Sequence, residues 1–177
     1  MAGRSLLSRP VDLLIVLVFT LFFLIAISID LLQATSDENV AEEHVLDRMW
    51  PPESLRKLFF FWCNEVDSLL KANPLWYRTL ALVSPVVYAP FYVFAIYAFV
   101  NQREWIRTPG LCWSWGMILV MFAVLSEQFF GKHATKNMAL FCAAYLPYVV
   151  FPILFGLRLL MYPTVFDHTN SHDKKES

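Results

Sequence analysis

The chain has 177 residues, of which 58% are hydrophobic and only 16% charged, with a formal net charge of −1 at pH 7. That is too apolar for an ordinary soluble domain of this length, and the balanced charge lacks the basic stripe of a nucleic-acid binder. A membrane protein is expected, with no nucleic-acid partner.

In chain order, four runs carry no charged side chain: Leu13–Ile29, Thr79–Val100, Thr108–Ser126 and Asn137–Leu157. At about 1.5 Å per helical residue each reaches roughly 25–33 Å, which matches a bilayer core. The alternating ~10-residue segments of a transmembrane barrel are absent. The predicted fold class is therefore an all-α membrane protein, a four-transmembrane-helix bundle. Arg4 and Arg9 precede the first run as they would a secretory signal, but its apolar core exceeds the usual ~7–15 residues and no small-x-small site follows. It reads as a helix that stays.

Asp30 closes the first run, at the mouth of the predicted helix. It admits two readings: a solvated helix end in the headgroup region, or a carboxylate lining a cavity, where a partner or a cationic ligand would restore its charge. Leu31–Arg78 follows and contains most of the acids, including Asp37, Glu38, Glu42, Glu43 and Asp47. Within it Leu55, Leu58, Phe59, Trp62, Val66, Leu69 and Leu70 recur at three- and four-residue spacing, which predicts an amphipathic helix in this first luminal loop, lying on the bilayer or capping the bundle. Asp67 falls on the side of Phe60 and Cys63 and so flanks apolar surface.

The second and fourth runs each hold a proline pair, Pro85 with Pro90 and Pro147 with Pro152. Each proline deletes a backbone donor; bent helices with room between them, or ordinary membrane-helix kinks, both fit. Candidate cavity walls are Tyr88 and Tyr92 in the second run, Trp113 and Trp115 in the third, and Tyr145 and Tyr148 flanking Pro147 in the fourth. Glu127 is expected at the interface. The four histidines lie in loops or tail and the three cysteines lack C-x-x-C spacing, so no metal site and no cofactor is expected.

Arg103 and Arg107 in the second link, with Arg4 and Arg9, place both on the cytosolic side, while Lys132 and Lys136 on the opposite link count the other way. The last four residues, Lys174-Lys175-Glu176-Ser177, are similar to a dilysine retrieval signal of endoplasmic reticulum proteins, which faces the cytosol. A solvated charged tail is the plainer alternative. The organisation is thus a cytosolic tail over residues 1–10, a four-helix domain over 11–162, and a cytosolic tail over 163–177, with both termini cytosolic.

Asp30-Leu31-Leu32-Gln33 after the first run, Trp76-Tyr77 before the second, Trp105-Ile106-Arg107-Thr108-Pro109 before the third and Tyr145-Leu146-Pro147-Tyr148 with Pro152 in the fourth resemble the EXPERA family. The resemblance covers nearly the whole chain. It implies a four-helix bundle of the endoplasmic reticulum, often a homodimer, whose cavity opens toward membrane lipids and binds sterols, oxysterols or cationic amphiphiles. Asp30 and Asp67 would supply the polar end, and Trp113, Tyr145 and Tyr148 would line the pocket. Where the pattern of its receptor-type members carries a Glu and a Gln in the second span, this chain has Ser84 and Tyr88, so its ligand profile is expected to differ. A non-catalytic sterol-binding protein in intracellular sterol transport or homeostasis is the leading expectation, with a sterol-transport membrane protein as a further partner. The alternatives are sterol Δ8–Δ7 isomerisation and a membrane scaffold.

Overall fold

The computed structural model describes residues 5–162 and 164–166, and these are helical without any strand. Lys174 and Lys175 lie outside the described residues. Four helices are long and apolar enough to cross a membrane: Pro10–Ala34, Leu75–Val100, Glu104–Phe130 and Met138–Met161. Each overruns the uncharged run that signalled it, because an apolar run stops at a charge whereas a helix stops where its backbone loses partners. Asp30 accordingly sits a turn inside the first span, and the mouth position expected from the sequence is corrected.

The ends of the helices have local causes. Pro10 opens the first span at a position whose backbone N–H would be unbonded in any case. Asn137 caps the fourth through Oδ1, which accepts from the Leu140 N–H at 3.1 Å. Asn73 ends the short helix Ser68–Ala72 in the left-handed region, and its Nδ2 donates to the carbonyls of Gln33 and Ser36, both at 3.1 Å. These bonds tie the short helix to the end of the first span, where the Gln33 carbonyl also accepts from the Ser36 N–H and the Ser36 carbonyl from Arg78.

The first span packs along the second, and the third along the fourth. Lipid tails are as apolar as leucine, so close packing has to hold the two pairs together. Phe19 does this. It is fully buried, and its ring lies 5.2–5.7 Å from Phe91 and Tyr92 of the second span, Trp113 of the third, and Phe151 and Phe155 of the fourth. Gly156 lets the third and fourth spans approach closely, since a Cβ there would stand 3.2 Å from the Ser114 Cβ. Leu14, Leu17, Leu21 and Leu24 face outward as a stripe suited to lipid.

At the end of the bundle near the termini, buried Asp12 joins Arg9 at 2.8 Å and Arg158 at 2.5 Å, tying the first span to the fourth. Residues after the fourth span fold back against this end, where the Val165 and Phe166 N–H groups donate to Glu104 at 2.8 and 3.0 Å.

At the opposite end the loop helix covers Glu53–Glu65 and caps the bundle. The continuous helix expected through Leu70 is interrupted at Val66, and Ser68–Ala72 is a separate helix. Phe19→Ala should lower stability by about 3 kcal/mol, against less than about 1 kcal/mol for Leu14→Ala. Thermal unfolding in detergent would show it, and equal midpoints for the two variants would contradict the role given to Phe19.

Candidate functional site

Two helical turns widen where the first and second spans pass each other. The first span runs as a π-helix over Ala26–Asp30, the second over Ser84–Tyr88, and the two turns are in contact. Pro85 lies within the second of them, where its missing N–H already breaks the regular ladder. In the first, the Ile27 carbonyl accepts from the Trp50 indole at 2.7 Å. π-turns re-aim side chains, and here they bring Ser84 Oγ to donate to Asp30 Oδ2 at 2.5 Å. Among the described residues Asp30 Oδ1 has no hydrogen bond.

Asp30 and Ser84 face a cavity of about 560 Å³ between the helix pairs, within the range of roughly 300–1,000 Å³ that small-molecule sites occupy. Leu55, Phe59 and Trp62 of the loop helix form its roof. Tyr88, Tyr92, Tyr145 and Tyr148 line it, with Phe22. Tyr148 stacks on Phe22 at 4.7 Å and Tyr145 on Phe141 at 4.2 Å, so both rings are held flat. The result is an apolar hollow with one carboxylate.

Two expected wall residues stand elsewhere. Trp113 is outside the lining: it stacks on Phe91 at 5.5 Å and packs edge-on against Phe19 and Tyr92, backing the wall as part of the packed layer. Trp115 faces outward. Asp67 is also behind the wall, fully buried. The break at Val66 makes it the N-cap of Ser68–Ala72, and its Oδ1 accepts from the Leu70 N–H at 2.8 Å and from Gln128 Nε2. Its Oδ2 accepts from the Tyr145 hydroxyl at 2.6 Å. Asp67 therefore holds the Tyr145 hydroxyl from behind and is not itself part of the lining. Glu127 pairs with His133 at 2.9 Å in the link between the third and fourth spans, as an interfacial residue would.

Gln33 and Tyr77, which the sequence offered only as members of the Asp30-Leu31-Leu32-Gln33 and Trp76-Tyr77 motifs and not as site residues, also line the cavity. The signal for Gln33 was its spacing: three residues after Asp30, it shares that face of the helix. Among the described residues no group of three His, Cys, Asp or Glu side chains could hold a metal ion.

Four spans, a capping loop helix and a hollow between two helix pairs define a multi-pass membrane protein with an intramembrane cavity. The chain belongs to the EXPERA (EXPanded EBP) superfamily, whose pattern matches residues 54–159. It is 24% identical over 125 residues to the sigma intracellular receptor 2 of Xenopus tropicalis, across 65% of this chain and 73% of that protein. The family match begins in the loop helix, so Asp30 and Gln33 lie upstream of it.

Burial pushes the Asp67 carboxyl above its ordinary value of 3.8, and the hydrogen bonds from Tyr145, Leu70 and Gln128 recover only part of that shift. The folded protein then holds a proton that the unfolded chain has released, so Asp67 favours the fold fully below pH 3.8 and less as pH rises through the raised value. Asp67→Asn keeps an acceptor for Leu70 and Gln128 but cannot ionise. Its unfolding midpoint should stay flatter than that of the wild type from about pH 4 upward; parallel curves would show that Asp67 does not titrate in this way.

Proposed function

We propose that this protein holds an amphiphile, a sterol, an oxysterol or a cationic amphiphile, in its intramembrane cavity and acts in intracellular sterol transport or homeostasis. The observation that carries this reading is Asp30: one carboxylate oxygen fixed by Ser84, the other unbonded, at the edge of a hollow walled by aromatic rings. A hydroxyl can donate to the unbonded oxygen. An ammonium gains a charge-assisted hydrogen bond there and attraction to the ring faces. The similarity to a protein named as an intracellular receptor supports the same reading.

Binding is favoured over sterol isomerisation by where the second acid stands. That reaction needs one group to protonate a ring double bond and another to remove a proton, both within reach of the substrate. Asp67 is withdrawn behind Tyr145 with both oxygens occupied, which leaves Asp30 as the acid in the lining. Tyr88 contributes a ring and a hydroxyl where receptor-type members of the family place an amide. Ser84 supplies one hydrogen bond where they place a carboxyl, so the occupants favoured here are expected to differ from theirs.

Asp30→Asn should lower affinity for a radiolabelled cationic amphiphile by about tenfold or more while the protein remains folded. Undiminished binding would remove Asp30 from the site and leave the scaffold reading. The same proposal places the protein in the endoplasmic reticulum membrane with both termini cytosolic, on the strength of Lys174 and Lys175. Deleting the last four residues should redistribute a tagged protein away from the reticulum in cells; unchanged residence would discard the retrieval signal.

A further inference from the structure

The loop helix carries a charge that the protein leaves unmatched. Arg56 stands one turn before Phe59, on the inward face that also holds Cys63, and it is only 9% exposed. Among the described residues its guanidinium has no hydrogen bond and no ion pair. The acid one turn before it, Glu53, is engaged by Lys57 at 2.6 Å and acts on Arg56 only through space. Nε is shut away with no partner, so the two terminal nitrogens are what remains open to the surroundings. The stem is buried and the tip reaches an edge, outside the cavity lining.

A guanidinium with so little water around it is costly without an anion, and its planar fork fits two oxygens of a phosphate. The surroundings select the kind of phosphate. Met49 and Trp50 just before the helix, and Leu58 and Phe61 on it, are exposed, an apolar surface suited to lipid. The Trp50 indole donates to the Ile27 carbonyl, about two turns before the first span ends at Ala34, so the loop lies roughly 10 Å short of that helix end. At that depth the exposed side chains meet acyl chains, and the anions within reach are lipid head groups.

We propose that Arg56 seats the phosphate of a phospholipid from the leaflet on the loop's side, and so pins the roof of the cavity to the bilayer. The site stands apart from the hollow and from whatever fills it.

The test titrates the full chain in detergent with dioleoyl phosphatidylglycerol, dioleoylglycerol or inorganic phosphate and follows the thermal unfolding midpoint, which rises with a ligand that binds the folded protein. The wild type should be stabilised by the phospholipid alone. Arg56→Gln should lower the apparent phospholipid affinity about tenfold, whereas Lys57→Gln, which removes the neighbouring paired charge, should change it by less than about twofold. Equal stabilisation by dioleoylglycerol would show that acyl chains suffice, and equal stabilisation by inorganic phosphate would show a plain anion site. Either overturns the proposal, as does an equal loss in the two variants or no loss in Arg56→Gln. If Arg56→Gln does not fold, Arg56→Lys carries the test: it keeps the charge but not the fork, so affinity should fall about threefold, and an unchanged affinity overturns the proposal.

Discussion

Ser84 holds Asp30 across two facing π-turns, and the polar end of the cavity is organised around that contact. A carboxylate a turn inside a span is costly unless something holds it. The hydroxyl of Ser84 takes one oxygen, and the widened turns on both helices make the approach possible. Below this point Phe19 and the rings around it fill the space between the helix pairs. Above it the rings give way to a hollow, so the acid stands where packing ends.

Among the described residues Asp12 and Asp67 are buried and Asp30 is half-buried, and each of these acids is treated differently. Asp12 is flanked by Arg9 and Arg158, and the group serves to join two spans. Asp67 receives a backbone N–H, an amide and a phenol, and serves to seat the loop on the wall. Asp30 has a single hydroxyl. A paired or fully bonded acid has little left to offer a visitor, and among these three the least satisfied is the one that faces empty space. That contrast marks the site without reference to any relative.

Much of this was legible in the residues. Uncharged runs of bilayer length gave the four spans, and the three- and four-residue rhythm gave the loop helix. The errors share one origin, which is that sequence periodicity is blind to local breaks. Asp30 was placed at a helix mouth because charge ends an apolar run, although the backbone continues to Ala34. Asp67 was read as a face of a continuous helix; it is the cap of the next one, and Val66-Asp67-Ser68 held that signal, since aspartate is a preferred N-cap. Trp113 and Tyr148 look alike in sequence, and only packing against Phe19 separates a backing ring from a lining ring. Gln33 stood within the Asp30-Leu31-Leu32-Gln33 motif but was given no role, because a lone glutamine one turn after an acid carries no chemistry that spacing alone reveals.

The loop that roofs the hollow is fastened on several sides. Trp50 holds it to the first span, Asn73 to the end of that span, Asp67 to Tyr145 in the fourth, and the Thr135 hydroxyl reaches the Val66 carbonyl at 2.6 Å from the link between the third and fourth. These fastenings are all made between groups of the protein itself. In the proposed role an occupant would meet walls and a ceiling held by these bonds, so little chain entropy would be lost in ordering them. Discrimination among such occupants would then rest on fit and head-group chemistry rather than on how readily the protein remodels itself.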